Sequence, residues 1–187
     1  MILRKIRSSI KLLLKKINST FSKFKILILE ENIILGKKVF LNKNIKMKTF
    51  DNGKIIIKEN VSIEDNVEII AQNAIITIEA NTFIGCGTQI IAKKSISIGK
   101  DCLIASYSVL RDNNHNINKN EIIRKQGHSI SPIIVENDVW VGTHCTITAG
   151  TNIHKGAVIG ANSVVTKDIE EYTVVGGVPA NFIKKRV

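Results

Sequence analysis

Between Val135 and Val165 the chain reads VENDVWVGTHCTITAGTNIHKGAVIGANSVV, and Val135, Val141, Ile147, Ile153, Ile159 and Val165 recur in it every six residues without interruption. A small or polar residue follows each of the first five: Glu136, Gly142, Thr148, His154 and Gly160. An amphipathic helix would need apolar residues three and four apart, and a half-buried strand would need strict alternation. A period of six fits neither. It fits a coil of short extended segments joined by turns, with each aliphatic side chain pointing into a narrow interior and successive coils hydrogen-bonded about 4.8 Å apart. Three such units close one triangular turn of a parallel β-helix.

The same beat runs back through the chain with breaks. Leu35, Leu41 and Met47 form one set, Ile57, Ile63 and Ile69 a second, Ile78, Ile84 and Ile90 a third, and Ile98, Ile104 and Leu110 a fourth. These early coils carry a few extra residues at one corner, for example Asp51, Asn52 and Gly53. Residues 29–187 therefore read as one all-β solenoid, because a coil is stabilised only by its neighbours. With two prolines and few aromatic residues among 187, the interior has to be filled by Ile and Val.

Residues 1–28 are of another kind. Leu3, Ile6, Ile10, Leu13, Leu14, Ile17, Phe21 and Phe24 follow helical spacing, with Arg4, Lys5, Arg7, Lys11, Lys15, Lys16, Lys23 and Lys25 between them and no acid before Glu30. Those eight cations make up most of the net charge of +11. Lysines interrupt the apolar positions too often for a membrane span or a secretory leader. The readings of this basic amphipathic helix stand side by side: a helix that caps the open end of the solenoid or joins subunits, or a peripheral contact with an anionic membrane surface.

The cysteines make no disulfide or metal pattern. Cys102 and Cys145 fall four places after Ile98 and Val141, where a small inward side chain fits, and Cys86 follows Ile84 by two. Buried reduced thiols in a cytoplasmic protein are the expectation.

One segment leaves the beat. Residues 111–132, RDNNHNINKNEIIRKQGHSISP, are polar, hold two of the four histidines and interrupt the repeat at its middle. A protruding loop of this length in a compact array is usually functional or disordered, and its placement, leaving after Leu110 and rejoining at Ile133, favours function.

The tail from Val135 onward, with the VW-G step at Val139, Trp140 and Gly142, the VIGANSVVTKD run and the GGVPA turn before a basic end, resembles the hexapeptide-repeat acetyltransferases. That group includes the maltose and galactoside O-acetyltransferases and the O-acetyltransferases of bacterial surface polysaccharides. The resemblance covers about residues 57 to 187. It implies a left-handed β-helix, a homotrimer with active sites between subunits, and transfer of acetyl from acetyl-CoA to a sugar hydroxyl. It also implies roles for single residues. His115, five places after Leu110, is the general base; imidazole has the pKa for that task at neutral pH. Trp140 lines the pocket, Thr143 lies near the thioester, Ala161 along the pantetheine arm, and Thr166 and Lys167 near the adenosine end. Thr143 or a nearby amide is a candidate oxyanion donor. Gly85, Asp112 and Asn114 fall on the acceptor side, and Asp112 or a backbone carbonyl is a candidate for fixing the imidazole tautomer.

Two departures from the family pattern matter. Asn181 stands where the maltose and galactoside enzymes carry an arginine, which passes any phosphate contact to Lys184, Lys185 or Arg186. Gly85, together with Ala92 or Lys93, stands where those enzymes have an acceptor-binding asparagine and aspartate, so a different acceptor is expected, a surface glycan or its precursor. His128, His144 and His154 have no such role, and the spacing of the four histidines lacks the His-x4-His step of the γ-class carbonic anhydrases, which argues against a metal enzyme. Acetylation of an amino sugar or a small drug-like acceptor, and a non-catalytic β-helix scaffold, remain as alternatives. Nucleic-acid binding is disfavoured because the cations are concentrated in one helix with few stacking aromatics.

Overall fold

A computed structural model describes residues 9, 10, 13, 17, 19–24, 26 and 30–187. From Ile33 onward the chain winds into a left-handed parallel β-helix, the handedness that hexapeptide repeats imply. Its three faces are sheets of six, eight and six strands. The six-residue beat is the register of those sheets. Leu35 pairs with Ile57, Ile57 with Ile78, Ile78 with Ile98, Ile98 with Val135 and Val135 with Ile153. On the next face Leu41, Ile63, Ile84, Ile104, Val141, Ile159 and Val175 stack in the same way. The third face stacks Met47, Ile69, Ile90, Leu110, Ile147 and Val165. Apart from the half-buried Leu35, every one of these side chains is buried.

Two devices hold the corners. At most corners after the first two faces the third residue after the beat residue has a left-handed backbone, and it is most often Asn or Asp: Asn44, Asn60, Asn66, Asn81, Asp101, Asp138 and Asn162 have φ between 54° and 61°. Short side chains that bond locally make that conformation cheap, and here they also bond to one another. Asn60 Nδ2 donates to Asn81 Oδ1 at 3.1 Å and Asn81 Nδ2 donates to Asp101 Oδ1 at 2.9 Å. At two of the glycines that take the position, Gly87 and Gly156, a tyrosine ring lies over it; an added Cβ would come within 2.5 Å of Tyr107 and 2.4 Å of Tyr172.

After most beat residues of the first two faces the fourth residue points inward and is small. Five positions four after a beat residue carry buried hydroxyls, each bonded to a corner carbonyl: Thr82 to Gly99, Thr88 to Ala105, Ser108 to Gly142, Thr151 to Thr148 and Ser163 to Gly160. Cys102 and Cys145 occupy equivalent places, their thiols 3.0 and 3.1 Å from the Glu136 and Gly160 carbonyl oxygens. All three cysteines are free, as expected, but Cys86 is only half-buried, because it sits in a corner and not on a face.

Both ends of the solenoid are covered. The described residues between 9 and 26 are helical. Leu41 N donates to Ser19 Oγ at 3.0 Å, Ser22 Oγ donates to the Asn42 carbonyl at 3.3 Å, and Ile26 joins the core. The rest of the helix expected over 1–28 lies outside the described residues. At the other end the strand Thr173–Gly176 stacks on Val158 and Ile159, then turns back into the antiparallel strand Asn181–Lys185.

Candidate active site

The expected loop is a folded arm. Asn113–His115 pairs antiparallel with His128–Ile130, which sets His115 directly opposite His128. The two rings lie 4.3 Å apart, centre to centre. Gln126 knits the tip: its Nε2 donates to the Asn118 and Glu121 carbonyls at 2.8 and 2.6 Å, and its Oε1 accepts from Asn118 N at 2.6 Å.

Asp112 anchors the base of the arm. Its side chain has no exposure, and its carboxylate accepts three backbone bonds, from Lys93 N and Lys94 N at 2.7 Å each and from Ser95 N at 2.8 Å. With both oxygens turned inward onto the neighbouring coil, Asp112 is a structural anchor and not an acceptor-side residue or an orienter of His115. Next to it, Asn113 is 5% exposed, and its Oδ1 has no hydrogen-bond partner among the described residues. Asn114, the expected contact, is exposed and faces Ser129 across the hairpin.

His128 was not singled out in the sequence, yet it is the nearest ring to His115. Lys93 Nζ stands 3.4 Å from its Nδ1. An ammonium can only donate, so that nitrogen acts as acceptor and a proton there is opposed. Desolvation, Lys93, His115 and Arg111 together hold the His128 imidazole below its ordinary pKa. The signal was hidden because the hairpin strands are polar and show no apolar alternation.

The other expected residues sit on the corners and flanks. Trp140 opens the strand Trp140–Val141 with half its surface exposed, between Leu103 and Val158. It is not a core aromatic. Thr143 Oγ1 donates to the Ser106 carbonyl at 2.8 Å and lies 3.0 Å from His144 Nδ1, so its hydroxyl is already engaged. Ala161, Thr166 and Lys167 are exposed. An added Cβ at Gly142 would meet Ala161 N at 2.6 Å, and one at Gly85 would meet Ser106 N at 2.5 Å. Gly85 is therefore fixed by coil stacking; buried and without a side chain, it offers an acceptor nothing. Asn181 Nδ2 folds onto the Pro179 carbonyl at 3.0 Å. Lys185 is paired with Glu170 at 3.1 Å and Arg186 with Asp138 at 2.9 Å, whereas Lys184 is exposed and makes no side-chain bond among the described residues.

A family profile described as the hexapeptide repeat of succinyl-transferase matches residues 75–106 and 132–167. Across 162 residues the chain is 30% identical to a protein of Escherichia coli K12, WbbJ, named for O-acetyl transfer in lipopolysaccharide biosynthesis, covering 82% of this chain and 72% of that one. It is 34% identical over 130 residues to the galactoside O-acetyltransferase of the same organism, covering 69% and 63%. In fold it resembles AntD, an N-acyltransferase from Bacillus cereus solved in complex with dTDP and 3-hydroxybutyryl-CoA, with a TM-score of 0.74 at 23% identity over 90% of this chain and 89% of that one.

Proposed function

Given that the chain belongs to the hexapeptide-repeat acyltransferases, we propose that it moves acetyl from acetyl-CoA to a hydroxyl of a surface glycan or its precursor, with His115 as general base. The observation that carries this reading is the placement of His115: solvent-facing, on an arm held rigidly at its base by Asp112, at the point where the solenoid interrupts its own repeat. The two O-acetyltransferase relatives support the hydroxyl acceptor.

A sugar hydroxyl is a poor nucleophile at neutral pH. His115 takes its proton as the oxygen attacks the thioester carbonyl, and the carbonyl oxygen becomes an oxyanion. With the Thr143 hydroxyl committed to Ser106, a backbone amide of a coil corner is the better oxyanion donor. Collapse of the tetrahedral species breaks the C–S bond, and the proton held by His115 passes to the departing CoA thiolate. No acyl-enzyme forms. The donor fits the exposed flank around Ala161, Thr166 and Lys167, with the exposed Lys184 as a cation for its phosphates.

The working unit is a homotrimer with the site between chains. In one chain His115 stands on an open arm whose Ile117, Ile122 and Ile123 are 78%, 61% and 52% exposed, and Trp140 is 52% exposed on the flank. Apolar groups placed so belong against a neighbouring subunit. An amine acceptor is the second reading, favoured by the likeness in fold to an N-acyltransferase.

The test is a screen for acceptor-dependent release of CoA over free sugars, nucleotide sugars, glycans and amino sugars. His115→Ala is expected to lower turnover by about two to four orders of magnitude with donor affinity and melting temperature unchanged. Turnover like that of the unaltered chain in this variant would remove His115 from the mechanism.

A further inference from the structure

The N-terminal helix carries a surface that acetyl transfer does not use. Its described residues divide into two faces. Ser19 and Ile26 are 4% and 7% exposed and seat on the first coil, where the Ser19–Leu41 and Ser22–Asn42 bonds hold the helix. Ile10, Leu13, Ile17, Phe21 and Phe24, spaced three, four, four and three apart, share the opposite face and are 50% to 69% exposed. The helix is thus held by its more polar side with its apolar ridge turned outward, the reverse of what burying that ridge on the solenoid would require.

Phe21 also forms one wall of a cleft of about 490 Å³ between the helix and the first coil. Ile45 and Met47 are further walls, and Lys43, Lys46 and Lys48 line it together with Glu30; Lys46 is paired with Glu68. Beside the ridge, apolar side chains and the lysines Lys43 and Lys48 thus lie close together. The sequence adds eight Lys and Arg residues before position 26 with no acid before Glu30. Packing this ridge against the same ridge of a second copy would bring two such cationic segments together with no acid of their own to neutralise them. A bilayer of anionic lipid neutralises them. No helix of the described residues is long and apolar enough to cross a membrane; a helix with an apolar ridge and a cationic complement suits the interface plane.

We infer that this helix docks the protein on an anionic lipid bilayer, with Ile10, Leu13, Ile17, Phe21 and Phe24 in the headgroup–acyl boundary and the cations among the lipid phosphates. The solenoid then stands on the membrane by its N-terminal end.

The test is flotation of the full-length protein with vesicles of phosphatidylcholine alone or with about one quarter phosphatidylglycerol. Binding to the anionic vesicles is expected to exceed binding to neutral ones by about tenfold or more and to fall by about an order of magnitude between roughly 0.1 and 0.5 M salt. Leu13→Glu with Ile17→Glu should abolish it and leave the oligomeric mass and acetyl-CoA binding unchanged. Lys15→Gln with Lys16→Gln, which keeps the ridge, should weaken it severalfold, and this variant carries the test if the ridge variant fails to fold. A protein that stays soluble beside anionic vesicles, a ridge variant that still floats, or a ridge variant whose only change is its oligomeric mass would overturn the inference; the last would make the ridge a contact between chains.

Discussion

Asp112 and His115 stand three residues apart and do opposite things, and substitution should separate them. Asp112→Ala orphans three backbone amides; at about 1–3 kcal/mol for each buried donor left unmade, partly relieved by water, the chain should lose about 3 kcal/mol of stability and its activity together. Denaturant unfolding checks this, and a variant as stable as the unaltered chain would mean that the arm does not depend on this anchor. Asn113→Ala removes the unpartnered buried carbonyl oxygen; if that oxygen receives a substrate donor, KM rises severalfold with little change in melting temperature. His128 gives a pH test. Lys93→Met should move its titration upward, read by NMR, since the neighbouring ammonium is one of the causes that hold it down. The folded chain binds this proton more weakly than the unfolded chain does, so stability contributed by neutral His128 is kept above the ordinary imidazole pKa and eroded as pH falls below it. The resemblance singled out His115 by its offset from Leu110, and its role as base is the proposal that His115→Ala tests. The sequence hid the parts of Asp112 and His128, because three amides on another coil and a cross-strand partner thirteen residues away leave no local pattern.

At the scale of the element, the period of six predicted which residue lies over which, from Leu35 to Val165, because in a coil this narrow the interior accepts one aliphatic side chain per face and any slip would expose a whole column. Corner chemistry was not read from the period: left-handed positions three after the beat carry Asn or Asp most often, but also Lys38, Tyr107, His144 and glycines. Asn81→Ala, at φ 61° and bonded to corners on both sides, should cost about 1–2 kcal/mol and lower the melting temperature. The small inward column makes a chemical prediction. Burial pushes the Cys102 thiol up to about 11 and raises that of Cys145 as well, so iodoacetamide at neutral pH should alkylate Cys86 in the native chain and reach the other two only on unfolding. The arm itself was visible as an interruption but not as a hairpin, since neither of its strands alternates polar with apolar residues.

For the whole molecule, the fold puts the two unusual segments in separate places: the arm leaves the middle of the solenoid and the basic helix covers its first coil. The proposed chemistry and the proposed membrane docking therefore rest on different segments, and each can be tested by substitutions that leave the other in place. A homotrimer accounts for the exposed Trp140 and the apolar arm tip, and light scattering should return three times the chain mass of 20.7 kDa. Trp140→Glu should shift that mass toward one chain and weaken donor binding along with it; an intact trimer in this variant would take Trp140 out of the interface. The central claim, an acyltransferase that uses acetyl-CoA, is tested most directly by calorimetric titration of the purified protein with acetyl-CoA, since this needs no knowledge of the acceptor. One site per chain with affinity between about 1 μM and 1 mM, weakened by Lys184→Ala, is the predicted result. An absence of binding up to millimolar acetyl-CoA would contradict the account and leave the β-helix as a scaffold.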